Sequence, residues 1–218
     1  MSMFGKKKNI QSDNEENYRT LMNHCHKWSI NGMRCIAMTS FVENQGRTML
    51  VYELGKRLAE VGYKTLIVDC DVTRPSLSAK MKAEDSQGIQ ELEAMIGNLN
   101  INVLLGNISD YAQTTDIQNL YFCSRGGHLG KPQEKYISKQ KISLLFKVFK
   151  EQFDFVLLDV CSLKYLSYAQ VFLESADGYL LLVKADTIQL RDMKLMRRKL
   201  KKIESNILGT IFKEKVVD

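Results

Sequence analysis

Apolar residues along this chain fall into short blocks separated by longer stretches of mixed polarity. The blocks are "RCIAMT" (34–39), "KTLIVD" (64–69), "INVLL" (101–105), "NLYF" (119–122), "FDFVLLD" (153–159), "YLLLV" (179–183) and "ILGTIF" (207–212). Several are apolar at consecutive positions, as strands covered on both faces must be. Between them the apolar positions take helical spacing. A helix is expected near Asn14 in "NEENYRTLMNHCHKW", and another after Gly46, with Val51, Leu54, Leu58 and Val61 on one stripe. "SQGIQELEAMI", "SKQKISLLFKVFKEQ", "LSYAQVFLE" and the stretch from Arg191 to Lys202 supply the others. Strands alternating with helices imply βαβ crossovers, and so an α/β fold: three layers, doubly wound, with a mainly parallel sheet and helices on both faces.

The bulk numbers agree with one such unit. The chain has 218 residues, 44% hydrophobic and 26% charged, with only two prolines, Pro75 and Pro132, and no Ser/Gly-rich linker. A single domain over 14–218 is expected behind a polar leader, 1–13, which carries Lys6, Lys7 and Lys8 and is expected to be disordered. No apolar run approaches the roughly 20 residues that span a bilayer, and nothing near Met1 resembles a secretory signal. The expected location is the cytoplasm, at the inner face of the membrane where a partner holds it there.

Cysteines change the picture little. There are five, at 25, 35, 70, 123 and 161, with no C-x-x-C pair. Neither a disulfide framework nor a zinc ribbon is indicated, and Cys35, Cys70 and Cys161 read as buried, inert thiols. In "HCH", residues 24 to 26, ligands two apart on a helix point to opposite sides, which argues against a metal.

The net charge of +6 is unevenly placed. "RDMKLMRRKLKK", Arg191 to Lys202, carries seven cations against Asp192, and Leu190, Met193, Leu195, Met196 and Leu200 form its apolar side. This predicts an amphipathic basic helix over 190–202, either a solvated outer face or a peripheral contact with a membrane surface or acidic partner. No RNP-like or helix-turn-helix signature accompanies it, so nucleic acid is not expected as a partner.

In an open parallel sheet, ligands bind beyond the carboxyl ends of the strands. Three polar groups stand there: Ser40 to Thr48 after the first strand, Asp69-Cys70-Asp71 after the second, and Asp159 after "FVLL". A loop entering a helix presents unpaired N–H groups and the positive end of the helix dipole, both suited to a polyphosphate. In "TSFVENQGRTML", Gly46 allows close backbone approach, Arg47 supplies a cation for terminal phosphates, and Thr48 supplies a hydroxyl for Mg²⁺. Asp159 is placed to hold a metal-bound water. Asp69 and Asp71 add a carboxylate pair, one for the metal shell and one as a base toward an incoming hydroxyl. The nucleotide-binding stretch is then Glu43, Asn44, Gln45, Gly46, Arg47, Thr48 and Met49, as a magnesium nucleotide site needs.

These motifs resemble the bacterial tyrosine kinases of capsule and exopolysaccharide synthesis, P-loop proteins allied to the partition and septum-site ATPases. "ENYRTL" is similar to that family's opening helix, "GYKTLIVDCDVTRPSL" to its second acidic motif, "FDFVLLD" to its third and "NILGTIF" to its final strand. The resemblance implies ATP and Mg²⁺ on the loop, with phosphate binding by Gly46 and Arg47 and metal ligation by Thr48. It further implies Asp69 and Asp71 as metal-shell and base residues, Asp159 as the remaining metal-associated acid, a ring of subunits, and a membrane polysaccharide chain-length or adaptor protein as activator.

The chain also departs from that pattern. Arg47 stands for the loop lysine, and a planar guanidinium does not fill a lysine's place without moving the loop. Asn44 stands for a flexible glycine, Glu43 brings a negative charge, and Thr73 replaces an arginine that Arg74 misses by one place. "DVCS" lacks the family's prolines, Met22 replaces a second arginine of the opening helix, and the sequence ends at "KEKVVD" without a tyrosine cluster. Two readings follow. One is an active ATP-dependent tyrosine kinase or ATPase working on other chains. The other, favoured by these departures, is a non-catalytic relative that docks on a membrane adaptor or pairs with an active kinase subunit.

Overall fold

The structure, a computed structural model, describes residues 10–83, 86–96, 108, 110–127, 137–184 and 190–213. The expected strand at 101–105 lies outside them, as do 1–9 of the leader. In chain order the elements are α1 (Ile10–Ile30), β1 (Cys35–Ser40), α2 (Arg47–Glu60), β2 (Thr65–Cys70), α3 (Ser76–Lys80), α4 (Ile89–Met95), β3 (Gln113–Thr114) and β4 (Leu120–Cys123). They continue with α5 (Lys139–Gln152), β5 (Phe155–Val160), α6 (Leu166–Ser175), β6 (Gly178–Lys184), α7 (Leu190–Leu200) and β7 (Ile207–Lys213). The first helix thus starts at Ile10, inside the stretch expected as leader.

Among the described residues the sheet has seven strands in the order β3-β4-β2-β5-β1-β6-β7, all parallel except β3, which runs antiparallel to β4. β1, β2 and β5 are buried along their whole length, the environment their consecutive apolar residues demand. Two cores flank the sheet. Residues of α1, α2 and α3 pack on one face around Ile36, Met38, Ile67 and Leu157, whereas α4, α5 and α6 cover the other around Ala37, Val68, Val156 and Leu158.

Some side chains depart from the apolar pattern. Val61 is 60% exposed, because α2 ends at Glu60 and Gly62, at φ +100, turns the chain away. Leu195 is 47% exposed although Met196 and Leu200 of the same helix pack on the core. All five cysteines are free and buried, and burial pushes their thiols up. No described helix is long and apolar enough to cross a membrane.

Two contacts set the position of the strand ends. A Cβ on Gly55 of α2 would lie 2.5 Å from Ile67 Cγ2, so the missing side chain lets α2 sit close against β2. At the opposite end, Asp177 accepts from the backbone N–H groups of Arg34 and Cys35, each at 2.8 Å, and from Lys150 at 2.6 Å. That carboxylate joins the start of β1 to α5 and to the entrance of β6.

Candidate functional site

The parallel register fixes the site before any side chain is considered. β2 and β5 pair with Asp69 opposite Asp159, and β1 lies on the far side of β5 with Met38 opposite Asp159. The turn leaving β1 therefore opens beside both acidic strand ends. Within it Asn44 (φ 60) and Gly46 (φ 84) both take the left-handed conformation, which glycine adopts freely and asparagine tolerates. Gln45, between them, is buried. Its amide donates to the Glu43 carbonyl at 3.3 Å and its oxygen accepts from the Lys184 N–H at 2.6 Å, tying the turn to β6.

Arg47, the first residue of α2, turns inward. Its Nε donates to Asp159 Oδ1 and its Nη2 to Asp71 Oδ2. Thr48 Oγ1 donates to Asp159 Oδ2 at 2.7 Å. Both Asp159 oxygens are thus engaged by the helix that the loop introduces. The other Asp71 oxygen accepts from Thr73 N–H at 2.9 Å, Thr73 Oγ1 at 2.6 Å and Arg74 N–H at 2.9 Å. Asp69 accepts from Ser78 N–H at 2.7 Å, Ser78 Oγ at 2.8 Å and Asp71 N–H at 3.0 Å.

Electrostatics explain this arrangement. Asp69 and Asp159 are both buried, and desolvation favours their neutral forms. Burial, reinforced by the Asp159 charge, pushes Asp69 up to about 7 despite its hydrogen bonds. Burial also raises Asp159, against the opposing pull of Arg47 and Thr48. Burial works against the Arg47 charge, but the carboxylates of Asp159 and Asp71 outweigh it and hold its pKa above the usual guanidinium value. A single buried cation bridges two strand-end acids.

The remaining loop residues face elsewhere. Glu43 accepts from Lys164 at 3.0 Å and Tyr165 OH at 3.2 Å, and its hydrogen bond from Lys164 lowers its pKa. Its charge leaves the loop for a cation beyond β5. Asn44 Oδ1 receives a 3.4 Å contact from Arg74, and Met49 is 45% exposed. Ser78, Lys164, Tyr165 and Lys184 have no place in the sequence pattern. Each lies at least nine residues from its partner, and no periodicity links a serine or lysine to an acid on another element.

The arrangement bears on Mg²⁺. The oxygens of Asp159 and Asp71 that face α2 are occupied by a guanidinium and a hydroxyl, and among the described residues no group of three or more His, Cys, Asp and Glu side chains is set to hold a metal. As placed, these residues do not fit a magnesium ion: a dication here would meet Arg47, a fixed positive charge, at the carboxylates it needs.

Comparisons with known proteins place the chain. Residues 33–212 match the AAA domain family. The chain is 24% identical over 188 residues to the putative tyrosine-protein kinase CapB of Staphylococcus aureus, covering 86% of this chain and 78% of that relative. Among solved structures, the BceF tyrosine kinase domain superposes with a TM-score of 0.74 at 21% identity, over 93% of this chain and 77% of that one. The septum site-determining protein MinD from Pyrococcus horikoshii, complexed with Mg-ADP, gives a TM-score of 0.62 at 26% identity, over 82% and 69%. The mainly parallel sheet with helices on both faces agrees with these matches; the chain resembles tyrosine-protein kinases, and it belongs to the AAA-domain family.

Proposed function

We propose that this chain is a kinase-like regulator of capsular or exopolysaccharide synthesis or export, with a degenerate ATP-binding loop and weak or absent phosphotransfer. It works in the cytoplasm against a membrane polysaccharide chain-length or adaptor protein, either as a homo-oligomer or paired with an active kinase subunit. The observation that carries this reading is the Arg47 guanidinium bridging Asp71 and Asp159. A P-loop kinase needs its loop cation on the phosphates and its strand-end acids on the metal shell; here the cation and acids satisfy one another.

The second reading is an active ATP-dependent tyrosine kinase or ATPase acting on other chains. The observation in its favour is that Thr48, Asp71 and Asp159 converge on one point, with Asp69 beside them. Nucleotide binding that drew Arg47 onto the phosphates would free both carboxylates.

A thermal-shift titration with Mg-ATP, with phosphotyrosine labelling of a tyrosine polymer, separates the two. The wild type is expected to shift little and label nothing, while Arg47→Lys combined with Glu43→Pro is expected to gain several degrees. A several-degree gain and labelling by the wild type would establish the kinase reading instead. If neither protein responds, nucleotide binding itself has to be given up.

A further inference from the structure

α7 and the neighbouring edge strand β7 carry exposed side chains that take no part in the contacts of the candidate site. On α7 and the turn after it, Lys194, Arg197, Arg198, Lys201 and Lys202 are all exposed, and none has an ion-pair partner among the described residues. The helix is held from its inner side. Met196 and Leu200 pack on the core, and half-buried Lys199 donates to the Leu163 carbonyl. The free cations therefore project outward from an anchored element.

Exposed apolar side chains accompany them. Leu195, on α7, is 47% exposed, and Phe212, on β7, is 72% exposed. Phe212 stands opposite Val183 in the β6–β7 register, and Val183 belongs to the core on which Met196 and Leu200 pack. Phe212 therefore projects from the same face of the sheet that α7 covers, at its open edge. An exposed aromatic and an exposed leucine among like charges raise the free energy of the isolated surface in two ways, by apolar exposure and by repulsion.

We infer that α7 and the outer end of β7 are a peripheral docking surface for an anionic lipid bilayer. Headgroups supply a continuous negative field that needs no matched pairing, which suits five exposed cations over 194–202, a stretch flanked by Asp192 and Glu204 but holding no acid itself. The interfacial layer takes in Leu195 and Phe212, the usual division of labour in a basic amphipathic helix lying on a membrane. A discrete acidic protein site would instead call for a pairing geometry that these scattered long side chains do not present.

Sedimentation with vesicles tests this on the whole chain without nucleotide, so the result is independent of the kinase question. Binding is expected to vesicles of phosphatidylcholine with about one-third phosphatidylglycerol, not to phosphatidylcholine alone, and to weaken with salt. Since each cation near such a surface contributes about fivefold, Lys194→Gln, Arg197→Gln and Arg198→Gln together are expected to lower the partition coefficient roughly a hundredfold. Phe212→Ser is expected to weaken binding severalfold with the salt dependence unchanged, which separates the apolar from the electrostatic share. Far-ultraviolet circular dichroism confirms that these surface variants fold. Equal binding to both vesicle types, no binding, or an unaffected triple variant would overturn the inference. So would binding to polyglutamate but not to vesicles, which would identify an acidic protein as the partner class.

Discussion

At the scale of single residues, Arg47 has the most to lose. Its side chain is 10% exposed and Asp159 is fully buried, so removing the guanidinium leaves a buried carboxylate without its counter-ion. Breaking such a pair costs about 3–5 kcal/mol. Arg47→Ala is expected to lower unfolding stability by that amount at neutral pH, and by less in mildly acid solution, because burial raises the Asp159 pKa and favours its neutral form. Urea titrations at the two pH values check it. Asp69 gives a second expectation. Its pKa is raised from 3.8 to about 7 on folding, so between those values the folded state holds a proton that the unfolded chain has released. Stability therefore falls as pH rises from about 4 to about 7, by up to about 1.4 kcal/mol per unit, and levels off above. Asp69→Asn should flatten that slope in protein without nucleotide or metal; an unchanged slope would place the titration elsewhere.

At the scale of elements, α2 shows packing overriding propensity. Replacing a mid-helix glycine by alanine favours the helix by about 1 kcal/mol. At Gly55 the added Cβ would come within 2.5 Å of Ile67 Cγ2, and forced overpacking costs about 1–3 kcal/mol. Gly55→Ala is expected to be net destabilising, with a lower urea midpoint and unchanged m-value. A more stable variant would mean that α2 slides freely on β2. That matters for the site, because α2 carries Arg47 and Thr48 to Asp159. Gly46 belongs to the same argument: at φ 84 it starts the helix in a conformation that other residues hold only under strain.

For the molecule as a whole, one sheet with a core on each face predicts one cooperative unit. Calorimetry is expected to show a single unfolding transition whose van't Hoff and calorimetric enthalpies agree. Two resolved transitions would divide the single domain expected over 14–218. β7 ends beside the β1–α2 turn, since a Cβ on Gly46 would lie 2.9 Å from Lys213 Nζ, so the membrane contact is separated from the nucleotide question by testing it without nucleotide.

Residue order alone marked six of the seven described strands and the longer helices. Runs such as "FDFVLLD" and "KTLIVD" have the consecutive apolar positions and short length of strands covered on both faces, and the sheet they form placed the aspartates at its carboxyl edge. It also marked Arg47, Glu43 and Asn44 as departures, because each differs in charge or shape from what a phosphate loop needs. It did not reveal the two-residue β3 or the five-residue α3, which are too short to show a period. Nor did it reveal where Arg47 points, or that Glu43 reaches Lys164 and Tyr165 and Asp69 is held by Ser78. Those choices depend on the distances that folding creates between groups 9 to 122 positions apart. A buried carboxylate takes whichever donor packing brings within reach, and only the tertiary structure decides which one that is.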